Sequence, residues 1–97
     1  MKLSEIKLSD VKEYSRIDYD DADAMLASVL TAAKHFVLSY TGLYADEADT
    51  HEDLSIACLC ICSDMIDTRN FAVQNIKQNL NPTAEIILNM YSKNLIG

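Results

Sequence analysis

Glycine occurs twice and proline once in 97 residues, and tryptophan is absent. So little punctuation leaves few of the turns that hairpins and sandwiches require. Ala, Leu, Ile, Asp and Asn prevail where a β protein would need Val, Thr and aromatics. With Gly42 and Gly97 as the only glycines, the chain has no Gly-rich phosphate loop and no dinucleotide fingerprint. Basic residues are also scarce: 8 Lys and Arg against 15 Asp and Glu give a net charge of −7 and a pI near 4.5. That balance argues against a protein that grips nucleic acid through a basic surface, because phosphate binding needs clustered Lys and Arg. It leaves open a surface past which DNA slides. No apolar run approaches the roughly 20 residues of a membrane span, and the opening MKLSEIKLSD lacks an apolar core followed by a small-residue cleavage site. The chain is expected to be intracellular, with no membrane partner. Its three cysteines, an odd number crowded at Cys58, Cys60 and Cys62, read as reduced thiols rather than a disulfide framework.

What is present is 49% hydrophobic and 24% charged, enough for one small domain over residues 1–97 with one core. The expected fold is all-α, a compact bundle of three to four helices with short loops. A core of this size contributes only a few kcal/mol net, so oligomerisation is a natural source of further stability.

Four segments carry helical periodicity. The first runs from about Ser9 to Ile17, with Ser9 as cap, Asp10 at the positive end, and Val11, Tyr14 and Ile17 on one side. The second is the strongest. Met25, Leu26, Val29, Leu30, Ala33, Phe36, Val37 and Tyr40 keep the 3-and-4 spacing of a buried face, and Gly42 supplies a left-handed stop, predicting a helix from about Asp21 to Thr41. Leu43 to Thr50 is acidic and aperiodic, and reads as a connection. Thr50 with Asp53 three residues on resembles a capping box opening the third segment. Its stripe is Leu54, Ala57, Cys58, Ile61, Met65 and Ile66, ending near Arg69. Residues 70–81, rich in Asn and Gln, read as a loop. Asn81 and Pro82 then form a cap and first turn, with Ile86, Ile87, Met90 and Tyr91 as the buried face of the fourth helix.

Two clusters invite a metal. Asp18, Asp20, Asp21 and Asp23 fall within six residues. A calcium loop counted from Asp18, however, would need a ligand where Ala22 stands, glycine where Asp23 stands and glutamate where Val29 stands. Asp20 or Asp21 capping the second helix, with the neighbours favoured by the helix dipole, accounts for the cluster without an ion. The run Cys58-Leu59-Cys60-Ile61-Cys62 cannot converge on one ion if helical, since Cys58 and Cys62 share a face and Cys60 lies nearly opposite, outward or toward a neighbouring subunit. His35 and His51 stand beside no Ser or Cys nucleophile in a recognisable motif. No catalytic, cofactor-binding or metal-binding residue is assigned, and no cofactor is expected.

The order of these pieces matters more than their chemistry. Val11 to Asp18 (VKEYSRID), the acidic helix start Asp20 to Asp23 (DDAD), and a long helix closing on Tyr40-Thr41-Gly42 are followed by MIDTRN at Met65 to Asn70. LNPTAEIILN at Leu80 to Asn89 and MYSKN at Met90 to Asn94 complete the series. The combination, over nearly the whole chain, resembles the small head-tail connector proteins of tailed bacteriophages and prophages. Members often carry Ser or Thr with a glutamate three residues on ahead of the first helix, a place held here by Lys7. The resemblance implies a non-enzymatic, α-helical adaptor that assembles as a homo-oligomeric ring below the portal protein, completes the DNA-filled head and offers the docking surface for the next head-completion or tail protein. The implied location is the head-tail junction of the virion, reached from the host cytoplasm, where the chain can be monomeric.

On that reading Phe71, Val73, Ile76, Tyr91, Leu95 and Ile96 are interface candidates. Asp46, Glu47 and Asp49 are candidates for an acidic lumen or surface, which would let DNA pass without specific binding. The alternative is a small acidic regulatory module, a DNA mimic occupying a basic site on a partner. Genomic neighbours separate the two: portal, capsid and tail genes favour the connector. A metal-dependent enzyme is the third class. Titration calorimetry with calcium and with zinc is expected to give no binding heat, and a saturable heat would restore the metal reading.

Overall fold

The computed structural model describes residues 1–17, 22–68 and 81–92, and among them the chain forms helices and no strand. A single 3-10 turn, Leu3–Glu5, precedes α1 (Leu8–Tyr14), α2 (Asp23–Thr41), the one-turn α3 (Ala45–Ala48), α4 (Asp53–Thr68) and α5 (Pro82–Tyr91).

α1 starts before Ser9. Lys7 holds the cap position, and its N–H donates to the Asp10 carboxylate at 2.8 Å. The acid three residues on thus does the capping that the sequence assigned to Ser9, and Lys7 supplies only backbone. The helix stops at Tyr14, short of Ile17, because the chain reverses through a left-handed residue: Arg16 has φ 58°. Its N–H bonds to the Glu13 carbonyl and that of Ile17 to the Lys12 carbonyl, which satisfies the last turn. Lys12 Nζ reaches Asp23 Oδ1 at 2.8 Å and ties α1 to the first turn of α2.

α2 follows its pattern closely, burying Leu26, Val29, Leu30, Ala33, Phe36 and Val37. Thr41 is also buried, its hydroxyl donating to the Val37 carbonyl at 2.8 Å. Gly42, at φ 73°, donates its N–H to the Leu38 carbonyl and ends the helix as expected. The start differs: the cap position belongs to Ala22, with no side-chain cap, and Asp23 is the first-turn acid. Asp18, Asp20 and Asp21 lie outside the described residues.

The stretch expected as a plain connection contains α3. Tyr44 N–H donates to Glu47 Oε1, and Ala48 is buried. Four residues are too few to show a period. Thr50 turns its hydroxyl back to the Glu47 carbonyl at 2.7 Å, closing α3 rather than capping α4, which begins three residues later at Asp53.

α4 lies at the centre, packed against α2 and α5 most extensively and against α1 and the 3-10 turn as well. It is therefore buried around most of its circumference: Leu54, Ala57, Cys58, Leu59, Cys60, Ile61, Cys62 and Met65 are all inside. The expectation of one stripe, with Cys60 facing outward, is corrected. Cys60 sits under α1, its Sγ 3.2 Å from the Tyr14 hydroxyl.

α5 opens as predicted, with the Asn81 side chain accepting from Thr83 N–H at 2.8 Å and Pro82 in the first turn. Its buried face is rotated from the predicted one. Ala84 and Leu88 are fully buried and Ile87 and Tyr91 partly so, while Ile86 and Met90 stay 65% and 63% exposed. Ala84 lets α5 approach α4 closely, and the resulting contact turns the bulkier pair outward.

Leu88→Ala is expected to cost about 2–5 kcal/mol through the cavity it leaves. Gly42→Ala should cost about 1–2 kcal/mol through its left-handed φ. Both are read by chemical denaturation, and a Gly42→Ala protein as stable as the parent would contradict the helix-stop account.

Candidate functional site

The described surface has three places where polar or apolar groups gather. The first is the junction of the N-terminal segment with α3. Leu3 and Ile6 are buried, the Ile6 carbonyl accepts from Lys34 Nζ at 3.0 Å, and Asp49 accepts from Ser4 N–H at 3.0 Å and from Ser4 Oγ at 2.6 Å. Those two bonds hold the Asp49 carboxyl below its usual range. Of the three acids picked from the sequence, Asp49 thus fastens the chain start and Glu47 caps α3, while Asp46 is exposed. The Ser4–Asp49 link spans 45 residues and has no local signal in the sequence.

The second place fastens α5. Tyr40 hydroxyl donates to Asn89 Oδ1 at 2.7 Å, and Ser92 Oγ donates to the Tyr40 carbonyl at 3.2 Å. Tyr91 donates to Asp53 Oδ2 at 3.1 Å and stacks on His51 with ring centroids 4.2 Å apart. Partial burial and then the Asp53 carboxylate raise the Tyr91 pKa, so its hydroxyl remains a donor. Tyr91, predicted for an interface with other proteins, is half-buried and engaged within its own chain. Phe71, Val73, Ile76, Leu95 and Ile96 lie outside the described residues.

The third is the line Tyr14, Cys60 and Asp64 beneath α1. The hydrogen bond to Cys60, then burial, push the Tyr14 hydroxyl up to about 12. Burial and then Asp67 raise the Asp64 carboxyl, opposed by a hydrogen bond from Asn81 at the start of α5. Cys58 and Cys62, on another side of α4, hydrogen-bond to each other, and that bond together with burial raises the Cys58 thiol. A protonated, buried thiol is a poor nucleophile and a poor metal ligand. Among the described residues no group of three or more His, Cys, Asp or Glu is placed to hold a metal ion. Among the same residues no helix is long and apolar enough to cross a membrane.

What remains on the surface is apolar and unpaired rather than chemical. Tyr44 is 78% exposed, and Ile86 and Met90 form an outward pair one turn apart. Sequence reasoning missed that pair because two stripes overlap on α5. Either Ile86 and Met90 or Ala84 and Leu88 can join Ile87 and Tyr91, and only the small Ala84 hinted at the close approach. Surfaces of this kind serve contact with other proteins.

The family model described as phage gp6-like head-tail connector protein matches residues 5–91. The chain belongs to that family. Curated proteins and solved structures gave no match. The three polar gatherings are internal fastenings: they hold the N-terminal segment to the end of α3, α5 to α2 and α4, and α1 to α4.

If Asp49 fastens the chain start, its depressed pKa makes a stabilising contribution that is present above the ordinary carboxylate range and lost as pH falls through the lower folded value. Asp49→Asn should therefore lose stability at neutral pH and converge on the parent as pH falls through the lowered Asp49 pKa. Equal pH profiles for the two proteins would contradict that role.

Proposed function

We propose that the chain is a structural adaptor at the head-tail junction of a tailed phage or prophage, assembling as a ring below the portal. There it completes the DNA-filled head and offers the tail-side docking surface. The observation that carries the reading is the connector-family match over residues 5–91 of a 97-residue chain. Portal protein and the next head-completion or tail protein are the partners, and the working location is the virion, reached from the host cytoplasm.

The physical character of the chain suits the part. Its core is one helix covered by three others and a 3-10 turn, so subunit contacts add stability that a small bundle lacks. A net charge of −7 disfavours adhesion to phosphates, which suits a ring through which the genome travels. Asp46, exposed on α3, is the described candidate for a lumen acid, since Glu47 and Asp49 carry structural bonds. Phe71, Val73, Ile76, Leu95 and Ile96 stay as candidates for contact with the portal or an adjacent copy.

Deleting the gene from its phage or prophage is the test. Lysates should contain heads that package DNA but fail to join tails, with rescue by the gene in trans. Stable, DNA-filled, tail-joined particles from the deletion would overturn the reading.

A further inference from the structure

Residues 1–6 lie on the bundle without being woven into it. Among the described residues, no backbone–backbone hydrogen bond joins them to the helices. The amides of the 3-10 turn close on the turn itself, Glu5 N–H to the Lys2 carbonyl at 3.0 Å and Ile6 N–H to the Leu3 carbonyl at 3.4 Å. Ile6 and Lys7 are both extended, so one stretched joint links the turn to α1, and the Lys7 N–H already belongs to α1 through Asp10. What holds the segment down is side chains. Leu3 and Ile6 are buried plugs where the turn packs on α3 and α4. Asp49, at the end of α3, takes Ser4 with both carboxylate oxygens, Oδ1 from the N–H and Oδ2 from the hydroxyl. Lys34 of α2 reaches the Ile6 carbonyl. Charge adds to the hold: Lys2 and Lys7 against Glu5 make the segment basic, whereas the stretch from α3 into α4 carries Asp46, Glu47, Asp49, Glu52 and Asp53.

We propose that residues 1–6 form a releasable strap that lifts about the Ile6–Lys7 joint while α1 to α5 stay folded, with Asp49 as its latch. Closed, the strap seals an apolar seat. Open, it uncovers Leu3, Ile6 and that seat together, a change of surface made without loosening the bundle. The balance of terms favours opening of this kind over unfolding. Lifting the strap forfeits two buried side chains and the Asp49 clamp but returns backbone freedom to the whole segment, whereas unfolding forfeits the entire core around α4. Because no ladder of backbone bonds couples the segment to a helix, neither event requires the other.

The native cysteines supply an internal reference for the test. Leu3→Cys in the full chain puts a thiol on the strap, while Cys58 and Cys62, fully buried in α4, react only when the bundle opens. Labelling with a small aromatic disulfide, read by peptide mass spectrometry, should modify position 3 at least about 100-fold faster than Cys58 and Cys62. Adding Leu88→Ala should speed Cys58 and Cys62 by roughly 30-fold through the cavity it leaves, with position 3 unchanged, because the α5 packing persists when the strap lifts. Adding Asp49→Ala instead should speed position 3 by about 10-fold. Position 3 reacting no faster than Cys58 and Cys62, or accelerating together with them in Leu88→Ala, would mean that the segment leaves only with global unfolding and overturns the proposal. A rate at position 3 indifferent to Asp49→Ala overturns it as well.

Discussion

Burial of α4 around most of its circumference is the constraint on which the rest depends. A helix carrying Leu54, Ala57, Cys58, Leu59, Cys60, Ile61, Cys62 and Met65 exposes apolar surface in all directions and is stable in water only when surrounded. α1, α2, α5 and the 3-10 turn are the cover, and each is held by a polar fastening at its margin. Lys12–Asp23 holds α1 to α2, Ser4–Asp49 holds the chain start to α3, and Tyr40–Asn89 with Tyr91–Asp53 holds α5. The fastenings are individually modest, since most are exposed. Their value lies in choosing one arrangement of cover around a core that shape alone underdetermines.

Once α4 is covered, the outward remainder is sorted too. Small residues such as Cys, Ala and Ser let helices approach the axis closely, and Ala84 does this for α5. The cost is that larger apolar side chains on the same helices, Ile86 and Met90, have no place inside. An assembling protein can use that residue of hydrophobicity, whereas a protein working alone gains nothing by displaying it.

The sequence made the longest elements readable because their signals are local. Gly42 ended α2 where its φ requires glycine, and Asn81-Pro82 opened α5 by the expected hydrogen bond. It failed where the deciding partner is distant. Cys60 was turned outward by the assumption of one stripe per helix, yet Tyr14, 46 residues away, covers it. The α5 face was misread because hydrophobicity ranks Ile86 and Met90 above Ala84, while packing selects for fit. Ser9 and Thr50 resemble caps by residue type, but the Asp10 carboxylate accepts the Lys7 N–H at the start of α1, and the Thr50 hydroxyl is spent on the Glu47 carbonyl at the end of α3. Of the interface candidates only Tyr91 falls among the described residues, and its bond to Asp53 depends on how α5 meets α4.

The connector family gives this architecture its place: a small acidic helical bundle with a structural part in the phage particle. Electron cryo-microscopy of necks isolated from the phage measures that directly. The account predicts a ring of helical bundles directly below the portal. Necks whose portal meets the tail proteins with no such ring between them would contradict it.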